Sequence, residues 1–187
     1  FPYAQYKTSI PKAVWDLNQK KIIMTKPEGA DIASSYFYTT NPDQDSLVFN
    51  AGKAVYDITN YTLNIEEIPY IQVADARVIP KDNMVFIEEK AKMKPLEDAE
   101  IIVSHANEYH YLREADMKII SRHEFDGDAV YQYPNAAGDT LSILFDGFSF
   151  EERERKRKKD ISRFKTIGNG AVEESEQLFV TPGMLFE

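Results

Sequence analysis

His105, His110 and His123 are the only imidazoles in the chain, with Glu108, Glu124 and Asp126 close by in sequence. A metal ion needs such ligands to converge on one point. His105 and His110 are five residues apart, so on one strand they face opposite sides and need a turn between them to meet. They read as scattered histidines on a β surface. His110, flanked by Tyr109 and Tyr111, reads as a packing or hydrogen-bonding position. Asp75, Asp98, Asp116, Asp126 and Asp128 offer carboxylates for the pair that flanks a glycosidic bond in hydrolysis. Their spacing singles out no pair, and acidic residues alternating with apolar ones read as the solvated face of strands.

Arg153, Arg155, Lys156, Arg157, Lys158 and Lys159 form a basic cluster, extended by Arg163 and Lys165. Such a cluster can hold anionic glycan or lipid headgroups. Residues 151–160 also carry four acidic residues against six basic ones, so the run reads as a solvated connection. There is no glycine-rich phosphate loop, no G-x-S-x-G elbow and no H-E-x-x-H pair. The absence of cysteine excludes disulfides, thiolate metal sites and cysteine nucleophiles. No catalytic, cofactor-binding or metal-ligating residue is therefore assigned, and no cofactor is expected.

The elements that carry these residues read as strands. The chain of 187 residues has 43% hydrophobic and 28% charged residues. These are ordinary globular values, and they rule out wholesale disorder, collagen and coiled coil. Eleven Phe, eleven Tyr and one Trp sit with Val, Ile and Thr in short alternating runs. Strands are predicted at 13–17, 21–24, 35–38, 47–49, 54–59, 61–65, 71–79, 84–88, 99–103, 108–112, 117–121, 128–133 and 141–150. The stretch 71–79, apolar on both parities in places, reads as a single strand covered on both sides. Asn41-Pro42-Asp43 is a turn signal, and Gly127 and Gly138 fit turns. The net charge of −9 argues against nucleic acid or an anionic membrane as main partner. No apolar run approaches the roughly 20 residues of a membrane-spanning helix.

A small residue followed by alternating apolar ones recurs at Ala76, Ala91, Ala99, Ala115 and Ala129. Two of these follow near-identical steps, Leu96-Glu97-Asp98-Ala99 and Leu112-Arg113-Glu114-Ala115. Stacked strands would bring such small residues into register. The expected fold is all-β, a stacked β-solenoid (β-helix) or an open β-jellyroll, with an antiparallel β-sandwich as the alternative. The expected organisation is a stacked β domain over 1–150, a charged loop or short helix over 151–165, and terminal strands over 166–187. A helix over 150–163 would start from the capping-box pattern of Ser149 and Glu152. The first residues carry no initiator Met and the last stop on an apolar pattern, so the chain reads as an excised piece of something longer.

Several stretches, YKTSIPKAVWDLNQKKIIM, SYFYTTNPDQDSLVFNAGKAVYDITNYTLNI, IPYIQVADARVIPKDN, EYHYL and ISRHEFDGDAVYQYPNAAGDT, together cover most of residues 6–145. They resemble a segment of the large, secreted, uncharacterised cell-envelope proteins of Bacteroidetes. The shorter pattern Ala54-Val55-Tyr56-Asp57, Leu63-Asn64-Ile65 and Ile71 to Ala76 is similar to the repeats of the lipopolysaccharide-transport bridge (OstA-like) proteins. That second resemblance implies an open β-jellyroll that shields acyl chains. The first implies a cell-envelope address, periplasmic or on the outer surface, and brings no catalytic residues with it. Asp45-Ser46-Leu47 and Asp139-Thr140-Leu141 resemble the three-residue O-glycosylation pattern of Bacteroidetes secreted proteins, which makes Ser46 and Thr140 candidate modification sites. The reading that follows is a non-enzymatic scaffold or adhesion segment of a large exported protein. Its open ends would be covered by the rest of the parent protein or by self-association, and glycan or lipid is a possible ligand class. An envelope lipid or glycolipid carrier is the alternative, and a β-helical polysaccharide-active enzyme the second alternative.

Overall fold

The computed structural model describes residues 1–103, 110–134, 140–152 and 164–171. Among these residues the elements are fifteen strands and four short 3-10 turns. The strands are β1 (Tyr6–Thr8), β2 (Lys12–Asp16), β3 (Lys21–Thr25), β4 (Tyr36–Thr39), β5 (Val48–Asn50), β6 (Lys53–Asp57), β7 (Thr62–Glu66) and β8 (Ile71–Val73). They continue with β9 (Ala76–Ile79), β10 (Val85–Ile87), β11 (Leu96–Val103), β12 (His110–Ser121), β13 (Glu124–Pro134), β14 (Thr140–Glu152) and β15 (Phe164–Ala171). A larger sheet has the order β1-β4-β5-β8-β9-β11-β12-β13-β14-β15, and a smaller one the order β10-β7-β6-β3-β2. All the ladders between strands are antiparallel. The fold is all-β, two open sheets of the sandwich or jellyroll kind. The parallel ladders of a β-helix are not among the described pairings. No helix among the described residues is long and apolar enough to cross a membrane.

From β1 to β10 the chain builds the two sheets in alternation, and β11 to β15 then all join the larger one. The hairpin β2–β3 enters the smaller sheet, β4–β5 the larger, β6–β7 the smaller and β8–β9 the larger. The two hairpins of the smaller sheet repeat in sequence: residues 12–24, KAVWDLNQKKIIM, match residues 53–65, KAVYDITNYTLNI, at an offset that sequence reading did not register. Their turns repeat as well. Asp16 Oδ1 accepts the N–H groups of Asn18 and Gln19 (3.0 and 2.9 Å), and Asp57 Oδ1 those of Thr59 and Asn60 (2.8 and 3.0 Å). Each turn then closes on a residue at positive φ, Lys20 and Tyr61.

Alternation fixes which side chains face inward. In the larger sheet one file of register partners runs Phe37, Phe49, Ile71, Val78, Ile101, Leu112, Tyr131 and Ile143, strand by strand. All but the half-buried Tyr131 are core residues. The stretch 71–79 is two strands rather than one: a turn at 74–75 separates β8 from β9, and its reversal accounts for apolar residues on both parities.

The recurring alanines all lie in the core, and Ala99 and Ala115 are register partners. The Leu-x-x-Ala steps have a structural cause. Leu96 and Ala99 are three apart yet both buried, as are Leu112 and Ala115. A regular strand cannot do this. Register shifts mark a bulge at each step, with Asp98 and Glu114 at positive φ. β14 repeats the device at Gly147 (φ 62), which returns Phe148 to the inner side after Phe145. Gly127 lies within β13 rather than in a turn: at φ 146 it is paired with Met117, and a Cβ there would collide with the Asp116 carbonyl oxygen.

Bulges bend strands and increase their twist. Past them, the β12–β13 turn comes back against the β8–β9 turn. Ala74 N–H donates to the Arg122 carbonyl (2.9 Å), and Arg122 N–H donates to the Gln44 carbonyl (3.2 Å). The Gln44 side chain donates to the Ala91 carbonyl (2.8 Å), so one buried glutamine ties three turns together.

The helical alternative for this segment does not start at Ser149. Residues 149–152 continue β14 and pair with β15, Ser149 opposite Ile167 and Phe150 opposite Thr166. The alternation of Phe148 and Phe150, each 4.9 Å from the Phe125 ring, outweighs the capping signal. Residues 153–163 and 172–187, which hold the rest of the two smaller expected segments, lie outside the described residues.

Asp75, in the β8–β9 turn, is buried, and its Oδ1 accepts the Thr166 N–H of β15 at 2.8 Å. Hydrogen bonds to charged groups contribute about 1.5–3 kcal/mol. Asp75→Ala is expected to lower stability by about that amount and to speed amide exchange across 164–171, whereas Asp75→Asn, which keeps an acceptor oxygen, costs less. Urea denaturation and hydrogen exchange check both. Equal losses in the two variants would show that the Thr166 bond does not carry the effect.

Candidate functional site: the free edge of the smaller sheet

The smaller sheet has two inward rows. One runs Ala13, Met24, Ala54, Ile65, Val85, and the other Trp15, Ile22, Tyr56, Leu63, Ile87. Burial falls off toward β2. Ile87, Leu63 and Tyr56 are buried, Ile22 is half-buried, and Trp15 is 63% exposed. Val14 on the opposite face is 55% exposed and Leu17, just after the strand, 71%. Trp15 thus occupies a core-facing position at the end of the stack, among the most exposed of the large apolar residues.

The backbone of β2 is oriented for one more neighbour. Ile58 N–H donates to the Lys20 carbonyl (3.0 Å) and Lys26 N–H to the Gly52 carbonyl (2.8 Å). The even-numbered residues of β3 therefore bond to β6, and its odd-numbered ones to β2. By the register, Lys12, Val14 and Asp16 answer them. The N–H and C=O groups of Ala13 and Trp15 then point out along the free edge. Among the described residues β2 pairs on one side only.

The histidines and acidic residues do not gather at one place. His110 starts β12, with Nδ1 3.4 Å from the Tyr131 hydroxyl and the rings edge to face at 5.8 Å. His123 lies in the β12–β13 turn, and His105 and Glu108 lie outside the described residues. Glu124 and Asp126 are exposed on β13. No group of three or more His, Asp or Glu that could hold a metal occurs among the described residues.

Of the aspartates, Asp116 and Asp128 are register partners, Asp128 also faces Asp146, and Asp98 N–H donates to Asp116 Oδ1 at 3.2 Å. These carboxylates form a ladder on the exposed face of an open sheet, and sequence spacing did not reveal it because bulges set the register. Asp75 stands apart as the buried turn residue described above. Ser46 is exposed in the connection before β5, and Thr140 is exposed at the start of β14. Arg153, Arg155, Lys156, Arg157, Lys158 and Lys159 lie outside the described residues. Phe37 is buried against Phe49, and Tyr36 is exposed.

Sequence does not show the edge at β2, because alternation alone marks Trp15 as an inward residue and says nothing of how burial falls away along its row. The match between 12–24 and 53–65 is the signal that could have drawn attention to it. No protein-family model, curated protein or solved structure matches the chain.

Burial holds the imidazoles of His110 and His123 below their usual value. The unfolded chain takes up these protons near the ordinary value of about 6.5, while the folded chain resists them. Their contribution to stability is therefore complete above about pH 6.5 and is lost as the pH falls from there toward the folded values. Urea denaturation at pH 8, 6.5 and 5.5 should show this decline, and it should flatten in the double variant His110→Gln, His123→Gln. An unchanged slope in that variant would assign the decline to other groups.

Proposed function

We propose that the chain is a non-enzymatic structural and interaction segment of an exported cell-envelope protein, a stack of hairpin layers that works through its shape and its strand edges. The observation that carries this reading is Trp15, core-facing in its row yet 63% exposed on a strand with a free edge. Further support comes from the hairpins that enter the two sheets in turn and from the repeat that builds the smaller sheet. The interior of the stack is filled by side chains such as Phe37, Leu47, Leu63, Ile65 and Ile71, all fully buried. A packed interior of this kind suits a spacer or adhesion module better than a channel for acyl chains. The envelope address rests on the resemblance of residues 6–145 to large secreted Bacteroidetes proteins.

Two assays test the reading against its alternatives. The protein is titrated with a fluorescent fatty-acid analogue and with lipopolysaccharide, and it is incubated with a panel of polysaccharides while reducing ends are measured. The scaffold reading expects neither saturable acyl-chain binding nor reducing-end release. Saturable binding at micromolar concentration would replace it with the carrier reading, and catalytic release of reducing ends with the polysaccharide-active one.

A further inference from the structure

The free edge accepts a particular partner. The strand Lys12-Ala13-Val14-Trp15-Asp16 is its own complement when laid antiparallel to itself about Val14. Lys12 then lies opposite Asp16 of the second copy, Ala13 opposite Trp15, and Val14 opposite Val14. Opposite charges meet at both ends, and the largest side chain meets the smallest on the core-facing side. Such cross-strand pairs are the unit of sheet stabilisation.

The hydrogen-bond parity agrees with this register. The outward N–H and C=O groups belong to Ala13 and Trp15, as derived above from the β3–β6 ladder. In the self-paired arrangement these two residues face each other across the junction, so each exchanges both backbone bonds with its opposite number. Val14 and the charged ends occupy the non-hydrogen-bonded positions, where opposing Cα atoms come closest, about 4.5 Å. Asp16 is held for this role. Its Oδ1 is fixed by the N–H groups of Asn18 and Gln19, which leaves Oδ2 to receive the Lys12 ammonium of the second copy.

Within the chain the matching strand β6 already makes such a contact. Ala54 and Tyr56, the counterparts of Ala13 and Trp15, pair with Met24 and Ile22 of β3 along the equivalent edge. There the row is buried, with Tyr56 7% exposed against 63% for Trp15. Edge strands normally carry devices that prevent pairing, such as a single charge or a proline within the strand. In β2 the charges stand at the two ends with opposite sign, so two copies attract in one register only.

We propose that two copies of this chain associate through β2, antiparallel and centred on Val14, to give one smaller sheet continuous across a two-fold axis. The proposal rests on the interaction-segment reading and names the partner of its edge. The partner is a second copy, not an unrelated strand.

The single tryptophan reports on it directly. In dilute solution Trp15 should emit as a solvated indole. As concentration rises, emission should shift to the blue while sedimentation velocity shows monomer converting to dimer. Ala13→Pro removes an outward N–H and no bond to β3, so it should abolish the dimer and leave the far-ultraviolet spectrum unchanged. Lys12→Glu replaces two attractive pairs by two repulsive ones and should raise the dimer dissociation constant about tenfold, while Lys12→Arg keeps it.

A chain that stays monomeric, with exposed tryptophan emission at all concentrations, would overturn the pairing. So would a dimer that survives Ala13→Pro or is indifferent to Lys12→Glu, because it would use another surface. Should Ala13→Pro fail to fold, Lys12→Glu decides alone. Failure here leaves the scaffold reading to the lipid and polysaccharide assays, whose own failure would not remove a dimer seen by sedimentation.

Discussion

A file of apolar side chains, one per strand, runs from Phe37 on β4 to Ile143 on β14 and holds the larger sheet to the core. Each fully buried Ile, Leu or Phe in it contributes about 1.5–3 kcal/mol. The constraint is one of parity. A strand that slips by one residue turns its whole apolar set to water, so every turn and irregularity has to preserve which side chains face inward. The bulges at Asp98, Glu114 and Gly147 do this. Each admits one extra residue and restores the inward side to Ala99, Ala115 and Phe148. Past the bulges the long strands come back, so that Ala74, Arg122 and Gln44 meet through backbone hydrogen bonds and Asp75 accepts the Thr166 N–H.

The free edge follows from how the stack is built. Up to β10 the hairpins join the two sheets in turn, and β2 is the outermost strand of the smaller one. Trp15, in an inward row of that strand, is left 63% exposed. The exposure of this tryptophan goes with its place on the edge strand. Its neighbours Lys12 and Asp16 supply the charges that make the edge selective.

Much of the fold was legible in the residues. Period-two alternation located most strands, but it left out β1, ran β8 and β9 together and divided the single strand β12 into 108–112 and 117–121. Asn41-Pro42-Asp43 was read as a turn, and Asn41 Oδ1 does accept the Asp43 N–H there. The Leu-x-x-Ala steps were visible as a repeat, but their meaning was not, because a bulge is a backbone event that leaves only a spacing of three behind it. The turn at 74–75 was hidden because no Gly or Pro marks it, and Asp75 is fixed by Thr166, 91 residues away. The capping pattern of Ser149 and Glu152 is overridden by a β15 partner that is not local in sequence. At the edge, the chemistry of Lys12 to Asp16 was on view, but the exposure of Trp15 is a property of the assembled sheet.

Amide exchange within β2 tests the layered account most directly. In dilute monomer the Val14 amide, bonded to β3, should exchange slowly, and the amides of Ala13 and Trp15 should exchange as freely as in an unstructured peptide. Uniform protection across Lys12 to Asp16 in the dilute monomer, or none at all, would contradict a hairpin stack that ends in a single-sided strand.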